Sequence, residues 1–521
     1  TRGVVALTKV DLVDDTAARE NEIRQQLQNS PLAEVAIVPV SAHNGTGLEE
    51  LKTALTAAAE AMPPHTDDGQ PRLAVDRVFT LQGIGTVVTG TLTGGIFEKG
   101  KTVAAFPPGN KTRIRSLHSH NREQDTAEPG MRTALNLAEA SRDTLVRGAT
   151  VTLPELATTT RTIDVHLERS LRLPAEATPL RNDTRVRVHH GSGHWAARLV
   201  LMEGKTLEPG QTQLAQLRFE QPVCVWPGDR IVIRNWPESA TLAGGRVLDA
   251  HGDRKTLRAA NHKTFLEIRA AAPLEAGAWI TSQLSRDGLA KRESLLKPSH
   301  FGSVEIEKAA AEWTGSGKAL AIGDWLADPA RWTSARNASA ARVDDEHSSH
   351  PELPGLAQEQ LRPIIEKAFP GHEIFNELVG DLCQQGFVKK QNYIARADHQ
   401  PALPAHLRDA GERIRQALQT GDPPARKTFT DSPTGRAALK FLIDTGEVID
   451  AGPELVMGSA QFSQLRLIVR QHLRQHGEST ASELRQAMNT TRRILIPVLE
   501  KLDRDGVTLR RGNVRVLRKQ D

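Results

Sequence analysis

Pro71-Arg-Leu-Ala-Val-Asp-Arg-Val-Phe-Thr-Leu-Gln-Gly-Ile-Gly-Thr-Val-Val-Thr-Gly-Thr-Leu92 decides the fold. It reads as two β-strands joined by a glycine hinge at Gly83 and Gly85. Alternation places Leu73, Val75 and Arg77 on one face, and Ala74, Asp76 and Val78 on the other. A dinucleotide-binding turn is excluded: the third glycine is Gly90, two residues late, and a strand follows where a helix is needed. The stretch is therefore the first hairpin of a small β-barrel. Asp76 and Arg77 are charged residues in an apolar strand, and the residues alone admit either a surface ion pair or a site.

Downstream, turns at Glu98–Gly100, Pro107–Gly109, Glu128–Gly130 and Arg147–Gly148 carry the barrel to about Pro154. A second set of short strands follows, at Ile163–Leu167, Thr184–His189, Ala196–Met202, Gln213–Phe219 and Arg230–Arg234, and predicts another antiparallel barrel. Arg185, Arg187, His189 and His190 make one strand end basic, as a solvated face or a phosphate contact.

Upstream, Gly3–Leu7 is an apolar run that fits a buried parallel strand. Thr8-Lys9-Val10-Asp11 follows at its carboxyl end, where α/β folds bind ligands. A helix over about Ala17–Gln28 leads to a second buried strand, Val35–Val40. Ser41-Ala42 ends that strand, and an amphipathic helix starts at Leu48. A carboxylate such as Asp11 can accept two hydrogen bonds from the guanine edge, and the Lys9 stem can cover the base plane. Thr8-Lys9-Val10-Asp11 resembles the guanine-recognition motif of GTPases, and Ser41-Ala42 resembles their fifth motif. The phosphate machinery is absent from these residues: no Gly-x-x-x-x-Gly-Lys-[Ser/Thr] occurs. Gly315-Ser-Gly-Lys318 is a decoy, with Glu312 in the first glycine's place and Ala319 in the hydroxyl's.

The hairpin at Pro71–Leu92, continued through Arg113–Leu137, resembles the second domain of translational GTPases. Its wording is nearest to the selenocysteine-specific elongation factors, the SelB family. The resemblance covers the whole chain in domain order, strongly over residues 1–150 and at the C-terminus, weakly between about 255 and 455. It implies a multidomain fold: a partial α/β P-loop GTPase domain, two antiparallel β-barrels, then tandem α+β winged-helix modules. Domains are expected at 1–65, 71–156, 159–252, 256–332, 333–398, 399–459 and 460–521. The chain reads as lacking the family's P-loop, Mg²⁺ ligands and switches, which would lie upstream of Thr1. GTPase activity is thus expected of the full-length protein, and these residues alone are expected not to hydrolyse GTP.

From about Lys255 the texture turns helical, and a theme recurs of helix, glycine, then short hairpin: Leu378–Gly386 with Phe387–Ile394, Ala437–Gly446 with Glu447–Asp450, and Leu499–Gly506 with Val507–Leu517. This is the winged-helix pattern, and four modules are expected. Ser339–Pro354 reads as an exposed loop. Residues 462–521 hold 13 Lys+Arg against 6 Asp+Glu, whereas the whole chain carries only +4, so a basic end sits on a near-neutral body. Thr480-Ala-Ser-Glu483 is a capping box. Arg492 and Arg493 stand at a helix N-terminus, where the dipole disfavours cations, which suggests a ligand. Arg510, Arg511 and Arg515 lie on the wing. These five are the candidate RNA-binding residues.

The length, 521 residues, requires several domains. No apolar run spans a membrane. Two cysteines, Cys224 and Cys383, far apart in sequence, read as buried free thiols. The 18 histidines show no metal-ligand spacing along the chain, and no metal site is expected. Three functions fit parts of the chain. A general translation GTPase gives no reason for four winged helices. A winged-helix DNA-binding regulator gives none for a guanine site or two barrels. The combination favours a selenocysteine-specific elongation factor: a cytoplasmic, monomeric protein using GTP and Mg²⁺, with selenocysteinyl-tRNA, an mRNA hairpin (the SECIS element) and the ribosome as partners. The resemblance assigns guanine binding to Thr8, Lys9, Asp11, Ser41 and Ala42, and selenocysteine binding to Asp76, Arg77 and Arg132.

Overall fold

Two apolar runs near the start pair in parallel, β1 (Val4–Leu7) with β2 (Ala36–Pro39), in the register Val4↔Ala36 to Leu7↔Pro39. Helix α1 (Ala17–Leu27) connects them, and α2 (Leu48–Glu60) packs back on both strands. Expected to be buried, the strands are only half-buried, because this sheet has two strands. In this computed structural model residues 3–28, 30–81, 85–138, 145–156, 159–173, 179–419 and 421–518 are described; Gly83 of the expected hinge lies outside them.

The decisive hairpin is β3 (Arg72–Leu81) with β4 (Gly85–Thr93). With β5 (Thr102–Phe106), β6 (Asn110–Ser119), β7 (Arg132–Leu137) and β8 (Thr150–Thr152) it forms a ring in the order β7-β4-β3-β8-β5-β6, closed by β6–β7 pairing. Leu73, Val75, Val88, Leu92, Phe97, Ile114, Leu117, Leu135 and Val151 fill it with no exposed surface. Each such side chain contributes roughly 1.5–3 kcal/mol.

Alternation along β3 fails at one place. Val75 pairs with Gly90 and Arg77 with Thr89, so Asp76 is the extra residue of a β-bulge. Leu73 and Val75 share the inward face, but Arg77 is exposed and Val78 takes the next inward place. Arg77 therefore does not share a face with Leu73 and Val75.

The second barrel has six strands: β9 (Thr160–Arg169), β10 (Arg185–His190), β11 (Gly193–Leu201), β12 (Thr212–Val223), β13 (Arg230–Arg234) and β14 (Thr241–Asp249). They close in the order β9-β12-β11-β10-β13-β14. The sixth strand, Thr241–Asp249, goes beyond the five expected and carries Gly244-Gly245 in its interior. Gly245 marks a close approach: a Cβ there would stand 2.6 Å from the His166 carbonyl oxygen.

The barrels are tied by a buried ion pair. Arg72 donates to both oxygens of Asp229, at 2.9 and 2.5 Å, and its guanidinium lies 4.4 Å from the Trp226 ring centroid. His190 Nε2 lies 2.8 Å from Asp229 Oδ2, and the Trp226 amide donates to the same oxygen. Burial would raise the Asp229 carboxyl, but the charges and hydrogen bonds of Arg72 and His190 outweigh it and hold it far below the usual range. Cys224 is buried nearby, as expected, and burial pushes its thiol up to about 12, so it is inert; Cys383, expected to be buried, is exposed.

Helices Ala260–Ala271, Ala276–Asp287 and Ser303–Gly315 follow, with a sheet of Leu289–Lys291, Leu320–Ile322 and Trp325–Ala327, around Phe265, Trp279 and Phe301. The chain divides into two compact units after Arg331. The second unit carries three more wings: Leu356–Ala357 with Phe387–Lys390 and Tyr393–Arg396, Val448–Gly452 with Leu455–Gly458, and Glu478–Thr480 with Thr508–Arg511 and Val514–Leu517. Gly386, Gly446 and Gly506 precede them at positive φ of 84°, 78° and 71°, the conformation that stops a helix at little cost for glycine alone.

The loop reading of Ser339–Pro354 is overturned. Pro329–Ser349 is one helix, and Ser339, Val343 and Glu346 are buried along it. The Ser339 hydroxyl donates to the Ala335 carbonyl and so needs no water. No helix among the described residues is long and apolar enough to cross a membrane.

Candidate functional site

Parallel pairing of β1 and β2 brings Thr8–Asp11 and Ser41-Ala42 to the same strand ends. The Val40 amide donates to Leu7, and the Val10 amide to Val40. Lys9 is left-handed, at φ 62°, an uncommon conformation for a side chain of this kind. The chain thus turns sharply, and Asp11 falls in a short 3₁₀ turn, Val10–Leu12. Ser41 is fully buried, and its Oγ donates to Asp11 Oδ1 at 2.6 Å. The same Oγ accepts from the His43 amide. Thr8, Lys9, Asp11 and Ala42 are exposed. Ser41 therefore orients an exposed carboxylate, which suits recognition of adjacent ring and exocyclic N–H groups.

The second cluster sits on the bulge. Arg132, at the start of β7, donates to Asp76 Oδ2 at 2.6 Å and to Oδ1 at 3.1 Å. Thr89 Oγ1 donates to Asp76 Oδ1 at 2.7 Å. Arg77 adds its charge to this carboxylate, without a hydrogen bond to it. Burial would raise the Asp76 carboxyl; the Arg132 and Thr89 hydrogen bonds, then the Arg132 and Arg77 charges, outweigh it and keep it ionised below the usual carboxylate range. Arg132 spends two of its five N–H donors on Asp76, leaving a fork for an anion from outside. Asp76 also lines a groove of about 370 Å³, with Arg72, Thr91, His190, Asp229 and Arg230 around it.

At the C-terminus the expected arginines separate into two groups. Arg492, Arg510 and Arg511 are exposed. Arg515 is buried at 6% and paired with Asp503 at 3.0 Å. Arg493 donates to the Pro423 carbonyl at 2.7 Å. Arg515 serves the fold of its unit, since a buried arginine must be paired where it stands, whereas Arg493 is exposed and spends only one donor on that carbonyl. The Thr480–Glu483 capping box is present.

Three family models match. Residues 85–152 fit one described as elongation factor Tu domain 2. Residues 167–254 fit the β-barrel domain of selenocysteine-specific elongation factor, and residues 471–517 the winged helix of elongation factor SelB. Curated selenocysteine-specific elongation factors are similar over nearly the whole chain. That of Desulfomicrobium baculatum is 29% identical over 99% of this chain and 83% of its own length. That of Escherichia coli K12 is 27% identical, over 99% and 81%.

Over nearly its whole length the chain is similar to the selenocysteine-specific elongation factors.

A crystal structure of bacterial selenocysteine-specific elongation factor EF-Sec shares the fold, with TM-score 0.62 and 20% identity over 100% of this chain and 81% of that one.

One cluster in this chain lies outside the expected sites. His189 and His194 face each other directly across the β10–β11 hairpin, and the Glu238 carboxylate reaches both. The absence of a metal-ligand spacing along the chain is no guide here, because hairpin register makes the neighbours. The tight His190-Gly-Ser-Gly193 turn is the signal that could have paired them. Of the basic strand, Arg185 pairs with Glu220, and Arg185 and Arg187 stack on Trp236.

Proposed function

We propose that the bulge at Asp76 is the amino-acid sensor of the factor, and that it reads the charge of selenocysteine. A carrier of selenocysteinyl-tRNA must reject seryl- and cysteinyl-tRNA, which differ by one atom. Selenols are markedly more acidic than thiols, whose pKa is about 8.5. Near pH 7 the selenol is ionised, the thiol mostly neutral and the hydroxyl wholly so. Arg77 and Arg132 meet the selenolate, and Asp76 orients Arg132. The observation that carries this reading is the two-pronged Arg132–Asp76 pair on an exposed bulge, with a second arginine adjacent. The test is the binding of selenocysteinyl- against seryl-tRNA by arginine variants.

Thr8, Lys9, Asp11, Ser41 and Ala42 bind the guanine of GTP. Asp11→Asn should shift preference from guanine toward xanthine nucleotides, because one acceptor becomes a donor; unchanged GTP preference, measured by competition, would remove Asp11 from this role. No Gly-x-x-x-x-Gly-Lys-[Ser/Thr] phosphate loop occurs in residues 1–521, and on their own they are expected not to hydrolyse GTP.

The last winged-helix module docks on an mRNA hairpin, the SECIS element, through Arg492, Arg493, Arg510 and Arg511, delivering the tRNA to the ribosome as a cytoplasmic monomer. Arg510→Ala or Arg511→Ala should flatten the log–log salt dependence of hairpin binding by about 0.7–0.9 for each phosphate no longer neutralised. Arg515→Ala should instead lower the stability of the second unit and leave the slope unchanged. A slope change for Arg515→Ala without loss of stability would reverse this division. Unpaired loop bases supply the selectivity, since A-form grooves hide base edges.

A further inference from the structure

We propose that His189, His194 and Glu238 form a zinc-type cation site on the second barrel. His189 Nε2 lies 3.2 Å from Glu238 Oε2, and His194 Nδ1 lies 3.2 Å from Glu238 Oε1. The three ligand atoms all lie within 4.8 Å of one another. Zinc bonds of about 2.0–2.1 Å in a tetrahedron set ligand atoms about 3.3–3.4 Å apart; each histidine already stands close to that spacing from one oxygen of the carboxylate, the two histidines meeting opposite oxygens. Two histidines and a carboxylate are a known zinc set, and three protein ligands leave a fourth position for water.

The cluster is poorly satisfied as an ion pair. His189 Nε2 is buried and makes no hydrogen bond of acceptable geometry, although the carboxylate is adjacent. An imidazole nitrogen and a carboxylate oxygen facing each other in this way are satisfied by a proton or by a metal cation between them, and a second histidine on the same carboxylate favours the metal. The histidine rings stand edge to face, 5.3 Å between centroids at 81°, which lets their nitrogens converge.

Glu238 is aimed by its loop. It sits at φ 58°, a left-handed conformation costly for glutamate. The Asn235 carbonyl accepts from the Glu238 amide, the Asn235 amide donates to the Ala240 carbonyl, and the Asn235 side chain bonds Ser239 Oγ and the Ala240 amide. Arg187 and Arg234 are the neighbouring cations. Arg187 Nε stands 3.6 Å from Glu238 Oε1 while its guanidinium lies over Trp236, so the carboxylate is shared and the site is weaker than a thiolate one.

The site has a mechanical consequence. The tip between His190 and His194 rests on the first barrel: Ser192 Oγ donates to the Val75 carbonyl at 2.5 Å, and Arg147 Nε to the Ser192 carbonyl. Val75 precedes the bulge residue Asp76. A cation joining both hairpin strands to the 235–240 loop stiffens the support on which that bulge stands.

The test is titration of the chelator-stripped chain with Zn²⁺ alone, following heat and hydrogen exchange. Wild type should bind one tight equivalent, with exchange slowed at Gly191–Gly193. Glu238→Gln and His194→Gln should each weaken that equivalent by at least the roughly 10–100-fold that loss of a mere supporting group costs. His406→Gln, an exposed histidine elsewhere, should bind as wild type. Co²⁺ in place of Zn²⁺ should show tetrahedral d–d absorption in wild type and lose it in Glu238→Gln. Absence of the tight equivalent in wild type, or equal affinity in wild type and both variants with unaltered circular dichroism, would overturn the proposal and leave an ion pair only.

Discussion

Replacing Arg77 and Arg132 together by alanine should weaken binding of selenocysteinyl-tRNA by about 100-fold or more and leave seryl-tRNA binding nearly unchanged. Hydrogen bonds to a charged group are worth roughly 1.5–3 kcal/mol each, and two arginines lose at least two of them. Seryl-tRNA presents no charge there and has none to lose. Neither substitution threatens the barrel, because both side chains are exposed and Asp76 keeps its bond to Thr89. Asp76→Asn separates the roles. It retains the shape but removes the charge that holds the Arg132 fork, so its effect on selenocysteinyl-tRNA should be smaller than that of the double variant. Filter binding with both tRNAs checks this. Equal losses for the two would assign the arginines to the tRNA body or to the fold.

The second large effect concerns the tie between the barrels. Asp229→Ala leaves the Arg72 charge without its partner, and breaking a buried pair costs about 3–5 kcal/mol. Asp229 is 5% exposed and Arg72 half-buried, so solvent recovers little of that. The urea midpoint of the first unit should fall accordingly. The pH dependence has a definite sign. The folded Asp229 carboxyl lies below its unfolded value, so its contribution is complete above about pH 3.9 and is lost as the pH falls from there toward the folded value. The gap between wild type and variant should therefore narrow only in acid. A constant gap down to low pH would mean that the carboxylate's ionisation is not what stabilises the junction.

Much of this is legible in the primary structure, for reasons that also explain what is hidden. Glycine at positive φ and hydrophobic spacing are local, and they mark the wings after Gly386, Gly446 and Gly506. The strand-end motifs are legible because parallel pairing returns the chain to the same edge. Asp76 and Arg132 are legible as a pair only through resemblance, since 56 residues separate them. The bulge itself is hidden, because alternation assumes an unbroken ladder and nothing local at Asp76 signals the extra residue. Arg515 departs from expectation for a related reason. On the alternating wing it occupies an inward position, and a partner, Asp503, makes that tolerable. The helix over Ser339–Ser349 is hidden by serine and histidine, residues that resemble a loop until Ser339 bonds its own backbone. The His189, His194 and Glu238 cluster and the Arg72–Asp229 tie are products of register and docking, which spacing along a chain cannot reveal.

The most direct test of charge reading is the preference for selenocysteinyl- over cysteinyl-tRNA measured across pH. Around pH 7 one side chain is anionic and the other mostly neutral, so the preference should be large. As the pH rises through about 8.5 the thiol ionises as well, and the preference should shrink toward the small difference left by atomic size. A preference that stays constant from pH 7 to above the thiol pKa would show that Arg77 and Arg132 do not read charge.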